Sequence, residues 1–323
     1  MSDIGIPFNP LREELYTPEE LFREFDAKDA SSYAKCSDIA ILSYFWKFGM
    51  NPTRKSGAAT LEALHDNAIS IAVKAFTNRH PNVIAMMGGH GMKRGDPAYI
   101  RIAHIAYDLA RDGFLLASGG GPGAMEATHL GAFFSKLSLT DLDGAIARLK
   151  NFSALPKDVD KLVDESGAIN PAIAADLHAW LAPALVIRHE VTAQNRGVSL
   201  GIPTWLYGFE PTTPFATHSG KYFQNSIRED GLVTMGVRGI VFAEGSAGTV
   251  QEIFQNAAQN YYKDFYPMVF LSSPAPKGEH FWEKAMPVRP LIEALLGAKK
   301  GFDKVLFTDS KEAVVEFLKE QKR

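Results

Sequence analysis

Two glycine-rich stretches, SGGGPGAMEA at residues 118–127 and EGSAGTVQE at residues 244–252, decide the fold. Each follows a short apolar run, FLLAS at residues 114–118 and RGIVFA at residues 238–243, and each leads into a helix-forming sequence. In open α/β sheets, ligands bind at the carboxyl ends of parallel strands, where such turns lie. Glycine lets a ligand approach the backbone, and the first N–H groups of a helix favour an anion. The two stretches together predict a small phosphorylated ligand held between them.

Composition limits the class of protein. The 323 residues, 46% of them hydrophobic, suffice for one large domain or two. A net charge of −3 and the lack of a basic tract argue against a nucleic-acid partner. The single cysteine, Cys36, excludes an intrachain disulfide and favours a reducing compartment. Because we find neither a signal-peptide pattern nor an apolar run of roughly 20 residues, we expect a cytoplasmic protein without a membrane partner.

Residues 1–80 are predicted to form a helical N-terminal extension. TPEE at residues 17–20 is a capping box with proline at the first helical position, and it predicts a short helix through Phe25. A second helix is predicted from Ala58 to Thr77. Its apolar side chains recur at helical spacing: Leu61, Leu64, Ala68, Ile71 and Ala75.

Residues 81–323 alternate between strand and helix patterns. A helix is predicted from Ala98 to Arg111, with Gly113 ending it. Strands are predicted at residues 83–87, 114–118, 203–207, 239–243, 267–271 and 304–308. Six parallel strands with crossover helices predict a Rossmann-like, doubly wound α/β sheet.

A helical insertion at about residues 135–190 interrupts this alternation. It contains a predicted helix at residues 139–152 and, after the start signal Asn170-Pro171, a further helix through His178. We interpret the insertion as a lid or a subunit contact.

The first glycine stretch also satisfies the dinucleotide fingerprint G-x-G-x-x-G/A, through Gly119, Gly121 and Ala124. That fingerprint expects a following strand and, about 20 residues on, an acidic residue that binds the ribose. The insertion occupies this region instead, and the next predicted strand begins only at Pro203. A dinucleotide oxidoreductase is therefore disfavoured, and a mononucleotide fits better.

Three segments resemble the Lonely Guy family of nucleoside 5′-monophosphate phosphoribohydrolases, which are often labelled lysine decarboxylases. They are MGGHGMKRGDPAY at residues 87–99, SGGGPGAMEATHLGA at residues 118–132, and the stretch at residues 224–252. Within that family the chain is most similar to the bacterial pyrimidine/purine nucleotide 5′-monophosphate nucleosidases. The resemblance covers about half of the chain and excludes the extension and the insertion.

The second glycine motif of the family is PGGxGTxxE, and this chain departs from it at two positions. Glu244 replaces the proline and Ser246 replaces the second glycine. An ionised Glu244 directed inward would repel phosphate, so either its side chain points away or the ligand differs. The other motif positions match: Gly245, Gly248, Thr249 and Glu252.

The resemblance implies hydrolysis of the N-glycosidic bond of a nucleoside monophosphate, which releases free base and ribose 5-phosphate. It implies that Arg228 and Glu252 are the catalytic pair, and it implies a dimer. The family usually has lysine after the arginine, where this chain has Glu229. Substrate and phosphate contacts are expected from the following residues: Gly89, His90, Gly119, Gly120, Gly121, Met125, Asn225, Gly245, Ser246, Gly248 and Thr249.

The residue types suit this chemistry, although each also has a structural explanation. Glu252 could stabilise an oxocarbenium-like ribose or orient a water, and Arg228 could bind phosphate, ribose or base. TVQE at residues 249–252 is also a capping box, so Glu252 could merely cap a helix. Spacing places Lys221, Asn225 and Arg228 on one helix face. His90 is equally compatible with a structural role.

We expect no cofactor and no metal. Pyridoxal phosphate needs a lysine, which both glycine stretches lack, and the histidines lack metal-ligand spacing. A non-catalytic nucleotide-binding or sensor protein remains the alternative, because of Glu244 and Ser246. Apolar helices at residues 61–76 and 172–187 exceed what one sheet needs to cover, so we expect a homodimer or a higher homo-oligomer.

Overall fold

A parallel sheet organises the computed structural model, which describes residues 5–50, 56–208, 210–274 and 280–321. Within these residues the sheet has seven strands in the order β4-β3-β2-β1-β5-β6-β7, and every pairing is parallel. The strands are β1 (Val83–Met87), β2 (Leu115–Ser118), β3 (Ser199–Gly201), β4 (His218–Ser219), β5 (Ile240–Phe242), β6 (Met268–Leu271) and β7 (Val305–Thr308). The predicted doubly wound α/β fold is confirmed.

Helices cover both faces of this sheet. Along β1, the side chains of Val83, Ala85 and Met87 belong to one apolar cluster, and those of Ile84 and Met86 belong to the other. The helices of the described residues are α1 (Pro18–Leu21), α2 (Ser37–Tyr44), α3 (Ser56–Arg79), α4 (Pro97–Arg111), α5 (Ala124–Phe134), α6 (Leu139–Leu149), α7 (Pro171–Glu190), α8 (Asn225–Met235), α9 (Ala247–Tyr262), α10 (Phe281–Lys284), α11 (Arg289–Leu296) and α12 (Lys311–Glu320). None of them is long and apolar enough to cross a membrane.

The strand order reverses beside β1, and this reversal positions the site. From β1 the chain adds β2, β3 and β4 on one side, and it then adds β5, β6 and β7 on the other. Helices α4 and α5 pack on one face of the sheet, whereas α9 packs on the opposite face. The chain after β1 and the chain after β5 therefore diverge and leave a crevice at the carboxyl edge, where such sheets bind ligands.

The prediction of a strand at residues 203–207 is wrong. The backbone N–H of Ile202 still donates to the Ser118 carbonyl (2.8 Å), but Pro203 has no N–H to continue the ladder. Thr204 then pairs with Tyr222 through an isolated bridge instead of with the sheet. The short strands β3 and β4 occupy these sheet positions.

The N-terminal residues pack on the sheet and pair with its edge. Tyr16 and Ser219 exchange backbone hydrogen bonds of 2.9 and 2.8 Å, which covers the outer side of β4. The Thr17 side chain caps α1 as predicted, but the Glu20 carboxylate binds Arg12 instead of completing the capping box. Helix α1 ends at Leu21 rather than Phe25, and Glu24 has a positive φ of 75°.

Helix α3 buries a different face from the predicted stripe, because the core side chains on this helix are Ile69, Ala72, Val73 and Phe76. His65 and Asp66 are buried on the same side, where the His65 ring bonds the Tyr16 hydroxyl (2.8 Å). Of the predicted stripe, Leu64 and Ile71 are 43% and 63% exposed, whereas Leu61 packs against the core.

The insertion packs on the rest of the chain. Helix α7 begins as predicted, with the Asn170 side chain accepting from two backbone N–H groups, but it continues well past His178. Trp180, Leu181 and Leu185 are buried within the chain. These three side chains are therefore not available for a subunit contact, whereas Val186 on the same helix is 38% exposed, so a contact through this segment stays a prediction.

Candidate active site

The loops that follow three neighbouring strands enclose one cavity of about 190 Å³. We call them the β1 loop (residues 88–91), the β2 loop (residues 119–123) and the β5 loop (residues 244–246). Two backbone hydrogen bonds join them, from Gly89 N–H to the Glu244 carbonyl and from Ala124 N–H to the Gly89 carbonyl, both 3.1 Å. Polar groups in the cavity wall come from His90, Tyr207, Glu210, Arg228, Glu229, Ser246, Thr249 and Glu252.

Most of the predicted site residues line this cavity. They are Gly89, His90, Gly119, Met125, Arg228, Ser246, Gly248, Thr249 and Glu252. The sheet topology brings them together from four separate segments of the chain.

Four predicted residues do not line the cavity but support those that do. Gly120 has a φ of +76° and accepts the Thr213 N–H (2.9 Å) through its carbonyl. At Gly245, a Cβ atom would collide with the Thr249 hydroxyl. The other two are Gly121, which abuts Glu210, and Asn225, which bonds Glu229 and Tyr207.

Gly119 makes room for the catalytic candidates. A Cβ atom there would lie 2.8 Å from Nη2 of Arg228 and 2.5 Å from the sulfur of Met125. A side chain at this position would therefore force the Met125 and Arg228 side chains to shift.

The amino end of α9 faces the cavity. Ser246 is the residue before the helix, and Thr249 is the third helical residue. Glu252 consequently lies in the second turn and does not cap the helix, so the capping-box interpretation of residues 249–252 is wrong. The orientation of α9 favours an anion beside Ser246, Gly248 and Thr249.

Arg228 is the central cation of the site. Its Nε donates to the Ile202 carbonyl (2.9 Å), and its Nη1 lies 4.0 Å from Oε1 of Glu252 and 3.9 Å from Oε1 of Glu229. The predicted helix face including Lys221 is wrong, because α8 begins only at Asn225.

Glu252 is a carboxyl group whose environment disfavours its charge. Burial raises the pKa of Glu252 to about 7; Arg228 opposes this rise, and the carboxylates of Glu229 and Glu210 add to it. Glu252 therefore exchanges a proton near neutral pH, as a general acid or base requires.

Glu210 is a site residue that the sequence did not single out. Its Oε1 lies 3.4 Å from Nδ1 of His90, and burial raises the pKa of Glu210 against the opposing charges of Arg228, His90 and Lys221. The usable signal was positional, because the segment after β3 leaves from the same carboxyl edge as the three glycine loops. Tyr207, from the same segment, was also missed.

Glu229 and Glu244 have clear placements. The Glu229 carboxylate accepts from the side-chain amides of Asn225 (2.6 Å) and Gln251 (2.7 Å), which fixes it at the cavity wall. Glu244 does not line the cavity, because its Oε1 accepts the backbone N–H of Ser273 (2.5 Å). The replacement of proline by Glu244 thus adds no carboxylate to the cavity wall.

Larger grooves lie elsewhere on the described surface. One of about 640 Å³ lies at the amino edge of the sheet, and one of about 830 Å³ lies between α3 and α8. Neither is lined by the glycine loops or by the pair Arg228 and Glu252, so the smaller cavity is the better candidate for chemistry. The described part of the chain contains no group of three His, Cys, Asp or Glu residues placed to hold a metal ion.

Comparison with protein-family models finds no family that matches this chain, and a search of curated proteins finds no matching sequence.

Proposed function

We propose that this protein hydrolyses the N-glycosidic bond of nucleoside 5′-monophosphates and releases free base and ribose 5-phosphate. The supporting observation is that Arg228 and Glu252, the pair implied by the resemblance to phosphoribohydrolases, lie 4.0 Å apart in one cavity at the strand-order reversal. A cavity of about 190 Å³ also favours a single nucleotide over a dinucleotide.

The amino end of α9 is the proposed phosphate site. Backbone N–H groups there and the Thr249 hydroxyl would hold the 5′-phosphate. Anchoring this remote group supplies binding energy that positions the ribose for reaction.

Glu252 is the proposed proton donor to the departing base. The C1′–N bond breaks with its electron pair going to the base nitrogen, and a proton neutralises that charge. A carboxyl group with a pKa of about 7 still holds this proton near neutral pH. Arg228 would orient the substrate through its fork of N–H donors.

The test is an assay of purified protein with AMP, GMP, CMP, UMP and IMP, in which chromatography measures free base and a second assay measures ribose 5-phosphate. We expect equal amounts of both products. Binding of a nucleotide without release of base would support the sensor alternative and contradict this proposal.

We further propose that the protein is a cytoplasmic homo-oligomer. The apolar side chains of Leu64 and Ile71, exposed two turns apart on α3, support association through this helix. Buried Cys36 without a disulfide is compatible with a reducing compartment.

A further inference from the structure

Glu210 reaches the site from the segment between β3 and β4, which carries neither glycine motif. A Cβ atom at Gly121 would lie 3.3 Å from its Oε2, and Nδ1 of His90 lies 3.4 Å from its Oε1. Its side chain is only 14% exposed and lines the same cavity as Glu252. The cavity wall thus contains Glu210 as well as Glu229 and Glu252, and Glu210 lies between two of the glycine loops.

The segment that bears Glu210 is anchored on both sides of it. On one side, Nε1 of Trp205 donates to Oδ1 of Asp38 (2.9 Å). On the other, the Thr212 hydroxyl donates to Oδ2 of Asp38 (2.9 Å), and the Thr213 N–H donates to the Gly120 carbonyl (2.9 Å). The segment on both sides of Glu210 is therefore fixed before substrate arrives, which favours the preorganised charge that electrostatic catalysis requires.

The charged neighbours of the two carboxyl groups differ, although Arg228 lies beside both. Burial raises the pKa of Glu210, and the charges of Arg228, His90 and Lys221 oppose this rise. Burial also raises the pKa of Glu252, where Arg228 opposes the rise but the carboxylates of Glu229 and Glu210 add to it. When carboxyl groups share a site, the one with the more cationic surroundings keeps the charge and the one beside other carboxylates keeps the proton.

We propose that Glu210 is a second catalytic residue, an ionised carboxylate that faces the ribose and stabilises the positive charge that develops at C1′. This inference rests on the proposed hydrolysis. As the C1′–N bond breaks, the electron pair and the proton of Glu252 go to the base. A water oxygen then bonds to C1′, and the proton that it loses returns to Glu252. Glu210 exchanges no proton and acts through its charge alone.

A pair of substrates separates the two roles. The base of GMP needs a proton to leave, whereas the base of 7-methyl-GMP already carries a positive charge and leaves as a neutral molecule. We expect Glu210→Gln to lower kcat at least about 100-fold for both substrates, because both form the same ribose cation. Glu252→Gln should lower kcat for GMP and leave kcat for 7-methyl-GMP within about tenfold of wild type. Glu190→Gln is the control, since its carboxylate binds Arg148 at an exposed position outside the cavity, and it should behave as wild type.

The outcomes distinguish this inference from the proposed function. A wild-type protein that releases no base from any nucleotide overturns both. If the wild type is active, three results for Glu210→Gln overturn the role of Glu210 and leave the proposed hydrolysis intact. They are full activity, a change in KM alone, or a lower kcat with GMP but not with 7-methyl-GMP.

The pH dependence of kcat for GMP gives a second measurement, which needs no methylated substrate. Wild-type kcat should fall as the pH is lowered, because Glu210 takes up a proton. The kcat of Glu210→Gln should be low at every pH and should not show this acidic decrease. If the kcat of the variant still decreases at acidic pH, the proposal is contradicted.

Thermal melting checks that the variant folds. Glu210→Asp keeps the negative charge but places it farther from the ribose, so it should lower kcat with little change in KM. This variant decides the question if Glu210→Gln does not fold.

Discussion

Glu252 occupies a position that costs the folded protein stability. In the unfolded chain its carboxyl group ionises with a pKa of about 4.5, whereas burial in the folded protein raises this pKa to about 7. The folded state therefore binds the proton more tightly, and stability falls as the pH rises from 4.5 through 7. A buried acid with this behaviour is typical of a site selected for chemistry rather than for stability.

We predict that Glu252→Gln stabilises the protein at pH 8 and not at pH 4. One pKa unit corresponds to about 1.4 kcal/mol, so removing the buried charge should add up to about 3 kcal/mol to the free energy of unfolding at pH 8. Urea denaturation at both pH values measures this difference. Equal stability of variant and wild type at pH 8 would show that Glu252 ionises without cost in the folded protein.

The guanidinium of Arg228 is the common neighbour of the site carboxylates. We predict that Arg228→Ala lowers kcat/KM for nucleoside monophosphates by about 100-fold or more, because the substrate loses a buried, positively charged hydrogen-bond donor. Arg228→Lys should recover only part of this loss, since lysine lacks the fork of donors. Steady-state kinetics on folded protein provides the measurement, and wild-type kinetics for the alanine variant would remove Arg228 from the site.

The segment between β3 and α8 is held by residues from the N-terminal region. Asp38 binds Trp205 and Thr212 as described above, and it also accepts from Nζ of Lys221 (2.7 Å). Asp66 accepts the backbone N–H groups of the two residues before α8, at 3.0 and 2.8 Å. Residues far from the glycine motifs therefore position Glu210 and the start of the helix that bears Arg228.

We predict that Asp38→Ala destabilises the protein by about 3 kcal/mol, because it leaves the buried ammonium group of Lys221 without its carboxylate. The double variant Asp38→Leu with Lys221→Met should recover only part of this loss, since it removes the buried charge but leaves Trp205 and Thr212 without their acceptor. Asp29→Ala is the control at an exposed site. Denaturant titration tests this, and a single variant as stable as the control would contradict it.

Helix α3 gives the whole molecule an unusual surface. It directs Leu64 and Ile71 outward while it buries a histidine and an aspartate that hold the N-terminal region to the rest of the chain. The exposed side chains of Leu64 and Ile71 are suited to association with a second copy of the chain. Two-fold symmetry is the commonest arrangement of such a pair.

We predict that light scattering gives a mass of at least twice the 35.4 kDa of one chain. Ile71→Glu should shift this mass towards the single chain, because a charge would be buried in the interface. Leu291→Glu is the matched control, since Leu291 is similarly exposed on a different helix. A wild-type mass of one chain at micromolar concentration would rule out the association.

Much of the fold and part of the site are predictable from the residues alone. Short apolar runs followed by glycine turns predict the parallel strands β1, β2 and β5 and the loops that carry Gly89, Gly119 and Gly248. These elements are predictable because a glycine turn between a strand and a helix depends on only a few neighbouring residues. The pairing of Arg228 with Glu252 was implied only by the resemblance to the phosphoribohydrolases; in the structure the two residues lie on α8 and α9, 4.0 Å apart.

The rest depended on contacts between residues far apart in the chain. Pattern alone favours a strand at residues 203–207, whereas tertiary hydrogen bonds to Asp38 and Tyr222 make this segment the support for Glu210. Pattern also predicts Leu64 and Ile71 in the core, whereas α3 buries Ile69, Val73 and Phe76 together with His65 and Asp66, whose polar groups are paired within the fold. In each case burial and hydrogen bonding across the fold outweigh local preference, because an unpaired buried polar group costs more than an exposed apolar one.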